Sequence, residues 1–221
     1  MFTKKTNTFF LHIPKTGGTW VWRVLEKSKS NIKKITKKKH ATYDYIVGKK
    51  TSILEKRFSN FQSSSLRFFT VIRNPLTWYE SNYKYQKQVN WRKWGEKGNL
   101  NYWHPLSVLN TEPIENFNEY MEFVNINYPG FLSHLYYSFT LTSCAHVLKN
   151  ETLSNDLLEL NKLWKLDLNE NIIISHKRAN SSKSTDIIWT KKNYEDTLRN
   201  EINIFKKYNY DLDNRNIVNV E

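Results

Sequence analysis

The residues best equipped for chemistry follow a short apolar run near the start of the chain and read Pro14-Lys15-Thr16-Gly17-Gly18-Thr19. Glycines let the backbone curl around an anion, and the amides at the start of a helix point toward it. A lysine and two threonine hydroxyls stand beside those glycines. This pattern predicts a cradle for a phosphate-type anion. An ordinary tight turn is the alternative, because two glycines after a strand also favour one.

The order of lysine and glycine separates this segment from the common nucleotide-binding loop. In that loop, G-x-x-x-x-G-K-[ST], the lysine follows the last glycine. Here Lys15 precedes Gly17 and Gly18, and the sequence offers no clear acidic strand for magnesium. A nucleotide-dependent phosphotransferase is therefore an alternative that the lysine order disfavours.

A second group of polar residues follows the apolar run at 67–72, which predicts a buried strand. Asn74 suits a helix N-cap and Pro75 a first helical turn, so a helix should follow. Arg73 then lies at the carboxyl end of the strand, where its guanidinium can pair with a phosphate. Ser81, two turns into the helix, can add a hydroxyl. A surface salt bridge is the alternative role for the arginine.

Histidine titrates near neutral pH, which suits a general base. His40, at the end of a lysine-rich stretch, is the first candidate, with an exposed histidine in a charged tract as the alternative. His104 is the second candidate. The histidines of apolar segments are predicted to be packed core residues: His12, His134 and His146.

Two elements of the sequence resemble those of a known enzyme family. Residues 12–19, which add His12-Ile13 to the segment above, closely resemble the 5′-phosphosulfate loop of sulfotransferases that use 3′-phosphoadenosine 5′-phosphosulfate (PAPS). Residues 69–75, with Ser81, are similar to the 3′-phosphate site of that family. Weaker likeness extends to 147–153 and 208–210, and residues 90–113 are unmatched. In motif spelling the chain is most similar to carbohydrate sulfotransferases of the heparan sulfate 2-O type and to bacterial sulfotransferases.

The resemblance implies roles for individual residues. Lys15 and His40 would be catalytic, and the segment beginning at His40 is similar to the context of a catalytic histidine in the 2-O branch. Glu55 is the third candidate base, because other branches of the family use glutamate. The residues implied to bind the cofactor are Pro14, Lys15, Thr16, Gly17, Gly18, Thr19, Trp20, Arg73, Ser81, Lys177 and Arg178. The residues implied to lie near the acceptor are His40, Tyr43, Trp103 and His104.

The implied activity is transfer of the sulfuryl group from PAPS to an acceptor hydroxyl by in-line displacement, with 3′-phosphoadenosine 5′-phosphate (PAP) as product and no metal required. The implied fold is a P-loop-NTPase-like sulfotransferase fold, an α/β three-layer sandwich with a mainly parallel central sheet. Alternating predicted strands and helices independently favour such a sheet. The chain would form a single domain, 1–221, with 90–113 as a substrate-side loop or insertion.

Charge narrows the choice of partners. With 34 Lys and Arg against 21 Asp and Glu, the net charge of +13 attracts phosphates, sulfates, acidic polysaccharides and nucleic acid. A non-catalytic module that binds nucleic acid or another polyanion is thus a further alternative. We expect an acceptor that is anionic or contains sugar, rather than nucleic acid.

Composition excludes several classes of protein. A hydrophobic fraction of 39% with 15% aromatic residues is too rich for a disordered chain. No apolar run reaches the roughly 20 residues that span a bilayer. A single cysteine, Cys144, excludes an internal disulfide, and the start of the sequence lacks the apolar segment of a signal peptide, so we expect a cytoplasmic protein. No metal is expected, because His, Cys, Asp and Glu show no metal-ligand spacing.

Hydrophobic periodicity and turn residues predict the order of elements. Strands are expected at 8–13, 67–72, 145–149 and 171–175. Helices are expected after a cap at Thr19 and at 76–89, 114–125, 131–137, 154–164 and 191–208. The residues expected to face inward on the helix at 154–164 are Leu157, Leu160, Leu163 and Trp164.

Overall fold

The structure is a computed structural model that describes most of the chain. The described residues are 2–3, 8–28, 32–33, 40–42, 45, 67–91, 104–140, 145–176, 187–213 and 218–221. They divide into two compact units: a first unit, Met1–Ile72 with Tyr136–Ser181, and a second unit, Arg73–Leu135 with Ser182–Glu221. Each unit is described by itself.

Five strands form the sheet of the first unit, in the order β3-β1-β2-β4-β5. The strands are β1 (Phe2–Thr3), β2 (Thr8–Leu11), β3 (Ile32–Lys33), β4 (Arg67–Ile72) and β5 (Ala145–Lys149). β2, β4 and β5 are parallel, whereas β1 runs antiparallel to both of its neighbours. The predicted strands at 8–13, 67–72 and 145–149 are confirmed, and the protein is α/β with a small parallel sheet of three strands.

Eight α-helices occur among the described residues. They are α1 (Gly18–Lys27), α2 (Pro75–Gln88), α3 (Phe117–Asn127), α4 (Phe131–Thr140), α5 (Leu153–Trp164), α6 (Glu170–Ser175), α7 (Lys191–Asn200) and α8 (Ile202–Lys207). A short 3-10 helix covers Ser107–Leu109. A search of the described helices finds none that is long and apolar enough to cross a membrane.

The core of the first unit forms because successive strand residues point to opposite faces of the sheet. Phe10 and Phe69, at paired positions of β2 and β4, stack with ring centroids 5.0 Å apart. Phe9 and Phe68 stack in the same way, at 5.1 Å, as the alternate pair. The pair Phe10 and Phe69 belongs to one buried cluster with side chains of α1 and α5, among them Trp20, Val24, Leu157 and Leu160. This packing fixes the carboxyl ends of the parallel strands relative to α1.

The second unit contains α2, α3, α7 and α8 together with a small parallel sheet of β6 (Ile188–Trp189) and β7 (Asn219–Val220). Its centre includes a buried acid, Glu201, which is 1% exposed. Oε1 of Glu201 accepts from the Tyr79 hydroxyl at 2.6 Å and from the Leu132 amide at 3.0 Å. Oε2 accepts from the Ser133 amide at 2.8 Å and from its hydroxyl at 2.7 Å. The carboxylate therefore binds two amides in the first turn of α4.

Two expected elements are wrong. The run at 171–175, expected to be a strand, lies in α6, where Asn169 accepts from the Ile172 amide at 3.3 Å and starts the turn. Its isoleucines favour either structure, and only Ile173 is fully buried. The helix expected over 191–208 is two helices, because the chain turns at Glu201.

Several helix boundaries and faces also differ from expectation. α1 begins at Gly18 with Gly17 as N-cap, so Thr19 is inside the helix rather than its cap. Asn116 caps α3, which shifts that helix to a later start than 114. Leu163 is 66% exposed rather than inward, whereas Leu157 and Leu160 are buried as predicted. The predicted cap Asn74 is confirmed, since its Oδ1 accepts from the Leu76 amide at 3.0 Å.

Candidate functional site

The predicted anion cradle is the turn at 14–17, which joins β2 to α1. Two of its residues have left-handed backbone conformations, Lys15 with φ 64° and Gly17 with φ 91°. This conformation costs a lysine free energy, so the surrounding structure must hold it. Alternation of right- and left-handed residues turns successive amides toward a common point. Positive φ at Lys15 and Gly17 is compatible with such an anion site.

A side chain at Gly17 or Gly18 would overlap a neighbouring side chain. A Cβ on Gly18 would lie 1.9 Å from Cδ2 of His12, whose ring packs against the helix start. A Cβ on Gly17 would lie 2.4 Å from Nδ2 of Asn150. Both distances are far below van der Waals contact, so any other residue would displace these neighbours. The glycine pair thus has a steric reason beyond turn formation.

Side-chain hydrogen bonds of Thr16 and Asn150 stabilise the turn. The buried Thr16 hydroxyl donates to the Ile13 carbonyl at 3.0 Å. Asn150 donates through Nδ2 to the Thr16 carbonyl at 3.0 Å, and its own amide donates to the Ile72 carbonyl at 2.8 Å. Thr16 was predicted among the cofactor-binding residues, and the structure gives its hydroxyl a bracing contact within the turn.

The N-terminus of α1 directly follows this turn. Among the described residues no side chain caps it, and its first turn contains no acidic residue. The Trp20 amide donates to the Gly17 carbonyl at 2.9 Å, which leaves the amides of Gly18 and Thr19 ahead of the first helical bond. A helix start carries partial positive charge, and Lys15 adds a full one. These groups together can hold an anion.

His40 lies next to His12, two residues before the turn. Its Nδ1 is 2.8 Å from the His12 carbonyl, and the two imidazole rings are 4.7 Å apart between centroids. A carbonyl only accepts hydrogen bonds, so Nδ1 must donate. In the neutral ring the lone pair is then on Nε2. The fold thus brings the predicted base to the predicted loop, with the tautomer that a base using Nε2 requires.

His104, the second candidate base, has the opposite tautomer. It is 7% exposed in the second unit, and its Nδ1 accepts from the Leu106 amide at 3.1 Å. Its carbonyl accepts from the Ser107 amide at 3.0 Å. Because an amide only donates, the neutral ring has its lone pair on Nδ1 and its proton on Nε2. His104 therefore braces the turn before the 3-10 helix.

Trp20, predicted to bind the cofactor, has protein partners for both of its N–H groups. Its indole donates to the His176 carbonyl at 2.8 Å, and its side chain is buried in the core. Burial lowers the pKa of His176, and the charges of Lys27 and Arg23 lower it further. Nζ of Lys27 is 3.4 Å from Nδ1 of His176. Arg23 and Lys27 of α1 therefore place positive charge near His176.

Arg73 and Ser81, predicted for a second phosphate, belong to the second unit. Arg73 is the residue that follows β4, and its Nε donates to the Thr77 hydroxyl at 3.0 Å. Thr77 in turn donates to the Asn74 carbonyl at 3.2 Å. Ser81 is half-buried on α2. The guanidinium is therefore oriented by its own helix start.

Sequence reasoning missed two polar residues near these elements. One is Asn150, described above. The other is Glu80 on α2, whose Oε1 accepts from the Trp189 indole at 3.0 Å. Burial raises the pKa of Glu80, while the Trp189 hydrogen bond, Lys84 and Arg73 act to lower it. A glutamate on an aromatic-rich helix gives no sequence signal for such burial, because its partner is 109 residues away.

The remaining predicted residues have mixed outcomes. His12 is buried, as predicted, but His134 and His146 are exposed, so their assignment to the core is wrong. The predicted residues that lie outside the described part of the chain are Tyr43, Glu55, Trp103, Lys177 and Arg178. Within the described ranges, no group of three or more His, Cys, Asp and Glu could hold a metal ion.

Comparison with known proteins supplies no relative for this site. No model of a protein family matches the chain, and neither the curated proteins nor the solved structures give a significant match. Any assignment of function therefore depends on the motifs and on the geometry of the turn, α1 and His40.

Proposed function

We propose that the protein is a PAPS-dependent sulfotransferase with a P-loop-like sulfotransferase fold, which transfers a sulfuryl group to an acceptor hydroxyl. One observation carries the proposal. The turn at 14–17, which resembles a 5′-phosphosulfate loop, leads into the N-terminus of α1, which no side chain among the described residues caps, and His40 donates to the carbonyl of His12 just before that turn. The segment predicted to be the cradle and the histidine predicted to be the base come from separate parts of the sequence, and the contact between His40 and His12 supports the proposal that they act together.

The donor set of the turn suits a singly or doubly charged oxyanion. Amides of Gly18 and Thr19 at the helix start and the ammonium group of Lys15 are all hydrogen-bond donors. No acidic side chain in the first turn of α1 opposes them. Close packing on both glycines keeps the backbone, rather than side chains, at the surface of the cradle. Under the proposal, residues 14–19 bind the 5′-phosphosulfate.

Each residue then has a defined task. PAPS supplies, when bound, a sulfuryl group on a phosphate leaving group. The acceptor oxygen forms its bond to sulfur as the bond between sulfur and the phosphate oxygen breaks, and that electron pair leaves with PAP. Nε2 of His40 takes the acceptor proton, because its Nδ1 already donates to His12. Lys15 and the loop amides stabilise the charge that develops on the phosphate side.

Arg73 and Ser81 are assigned to the 3′-phosphate by the resemblance alone. The support within the second unit is that Thr77 orients the guanidinium of Arg73. A fixed arginine loses less entropy when it binds a phosphate, and its fork matches phosphate oxygens. A 3′-phosphate site would let the enzyme distinguish PAPS from adenosine phosphosulfate.

The acceptor is proposed to be anionic or to contain sugar. The net charge of +13 attracts acidic polymers, and exposed Arg23 and Lys27 of α1 add positive charge in the unit that contains the turn. Electrostatic attraction of this kind raises the local concentration of an acidic substrate. It would be weakened by salt, because exposed charges are screened.

Calorimetric titration with PAP tests the proposal, with AMP and ATP as controls at moderate salt. We expect micromolar binding of PAP and much weaker binding of AMP, because AMP lacks the 3′-phosphate. Labelled PAPS should then transfer its sulfuryl group to a suitable acceptor. No binding of PAP, or equal binding of every nucleotide, would contradict the proposal and favour a polyanion-binding module or a phosphotransferase.

A further inference from the structure

Asn150 connects three separate segments of the first unit. It is the residue after β5, and its amide donates to the Ile72 carbonyl at the end of β4. Its side-chain Nδ2 donates to the Thr16 carbonyl, 134 residues away in sequence. We infer that Asn150 is a positioning residue that sets the orientation of the anion-binding turn. This inference rests on the proposed function of that turn.

The hydrogen bond from Asn150 determines which way one peptide of the turn faces. In a trans peptide the carbonyl and the following amide point in opposite directions. Asn150 holds the Thr16 carbonyl at 3.0 Å, so the Gly17 amide points away from Asn150. An anion that approaches from the side opposite Asn150 meets that amide. The contact thus aims a donor that the anion would use.

Packing reinforces the same orientation. Nδ2 of Asn150 would be 2.4 Å from a Cβ on Gly17, so the amide group lies directly against the glycine. Cδ2 of Leu153 would be 3.2 Å from the same point. Asn150 and Leu153 therefore lie on one side of Gly17, whose φ is 91°. Preorganisation of this kind lets the backbone bind an anion without first rearranging.

Asn150 is itself held in place by the sheet and by α5. Its amide is bonded to β4, and the preceding Lys149 amide donates to Oδ2 of Asp156 at 2.7 Å. Lys149 also pairs with Ile72 across the parallel strands. A donor anchored on rigid elements positions its partner more accurately than one on a mobile loop.

The chemistry of the side chain distinguishes positioning from simple packing. Asparagine donates a hydrogen bond without adding charge. Aspartate has nearly the same shape, but when ionised it only accepts, so it would face the Thr16 carbonyl with like polarity. It would also place negative charge beside the proposed anion site. A packing role predicts that Asn150→Asp is milder than Asn150→Ala, whereas a positioning role predicts that Asn150→Asp is more harmful to anion binding.

The first experiment titrates PAP into wild type, Asn150→Ala and Asn150→Asp, with Asn161→Ala as matched control. Asn161 also bonds to backbone in the first unit, donating to Leu168 O at 3.2 Å and accepting from Leu168 N at 2.9 Å. We expect PAP affinity to fall about tenfold or more in Asn150→Ala and further in Asn150→Asp, with Asn161→Ala within about twofold. Wild-type affinity in both Asn150 variants would overturn the inference.

The second experiment tests the inference whether or not the protein binds PAP. Amide hydrogen exchange of residues 13–20 is measured in the ligand-free proteins, together with their melting temperatures. Exchange should accelerate in Asn150→Ala but not in Asn161→Ala at a comparable loss of melting temperature, because only Asn150 contacts the turn. Unchanged exchange would overturn the positioning role even if PAP binds. Accelerated exchange in a protein that binds no PAP would instead contradict the proposed function alone.

Discussion

Two helix N-termini in this protein differ in whether a side-chain anion accepts hydrogen bonds from their first amides. At the start of α4 the carboxylate of Glu201 accepts from the amides of Leu132 and Ser133. At the start of α1 no side chain among the described residues caps the helix, and its first turn has no acidic residue. Both ends carry partial positive charge. Glu201 neutralises the start of α4, whereas no side chain in the described part of the protein caps the start of α1.

The difference distinguishes an anion that stabilises the fold, Glu201, from the external anion proposed to bind at α1. Glu201 is buried and receives four hydrogen bonds, so its charge stabilises the second unit. Burial and the nearby Glu201 carboxylate raise the pKa of Tyr79 well above its usual range, which keeps the hydroxyl protonated as a donor. At α1 the corresponding place is flanked by Lys15 and two packed glycines. A helix start without its own anion is suited to an anion supplied from outside.

The largest expected effect is on catalysis, in Lys15→Ala. The change removes the ammonium group that the proposal places beside the phosphosulfate, and urea unfolding checks that the variant is folded. We expect kcat for sulfuryl transfer to fall by about two to four orders of magnitude, because the lysine acts mainly in the transition state. Lys15→Arg serves as the charge-conserving comparison. An unchanged kcat in Lys15→Ala would refute the proposed role.

The largest expected effect on stability is in Glu201→Ala. This change leaves the buried donors of Tyr79, Leu132 and Ser133 without their acceptor. The free energy of unfolding should fall by about 3–5 kcal/mol, the usual result of breaking a buried charged network. Urea unfolding measures it, and Glu201→Gln should lose less because it keeps one oxygen. A loss as small as that of an exposed glutamate would contradict the comparison.

The two candidate histidines should respond differently to removal. His40→Ala should lower turnover by about a hundredfold or more while PAP still binds, because its Nε2 is the proposed proton acceptor. His104→Ala should lower the melting temperature and leave the rate per folded molecule unchanged, since that ring braces a turn. Turnover and thermal unfolding of both variants measure the contrast. Equal loss of turnover in both would remove the reason for choosing His40.

The smallest expected effect concerns the acid of α2, Glu80. Its pKa is raised in the folded protein from an ordinary value of 4.5, chiefly by burial. The folded state therefore binds this proton more tightly, and the contribution to stability falls as pH rises from about 4.5 through the raised pKa. Glu80→Gln should remove that decline, changing stability at neutral pH by less than about 1 kcal/mol because Trp189 keeps an acceptor.

The difference in stability between Glu80→Gln and wild type is measured by urea unfolding across that pH range. We expect the variant to gain on wild type as pH rises. A difference that is constant with pH would show that Glu80 does not titrate in this window.

Local signals in the sequence predicted local structure well. The strands at 67–72 and 145–149 and the cap at Asn74 are confirmed, because propensity and capping depend on neighbouring residues. The isoleucine run of α6 was misread, since the capping Asn169 decided between two conformations that the run tolerates. The break at Glu201 could not be foreseen, because its partners are 68 or more residues away.

In the candidate site, too, local features could be predicted from the sequence and contacts between distant segments could not. Residue types and order identified the turn and His40, but not the hydrogen bond from His40 to the His12 carbonyl, which spans 28 residues. That bond, rather than the histidine itself, selects the tautomer. The role of Asn150 could not be predicted from the sequence, because a single asparagine after a strand has no distinctive pattern. Its contact with Thr16 spans 134 residues.

The most direct test introduces an acidic side chain at the start of α1, where α4 has the carboxylate of Glu201. Thr19→Asp places a carboxylate in the first turn, and Thr19→Asn is the neutral control. We predict that Thr19→Asp raises stability by about 0.3–1 kcal/mol relative to Thr19→Asn, through the helix dipole, while PAP affinity falls. Calorimetry with PAP and urea unfolding are measured on the same preparations. Equal PAP affinity in the two variants would contradict the claim that the start of α1 is the anion site.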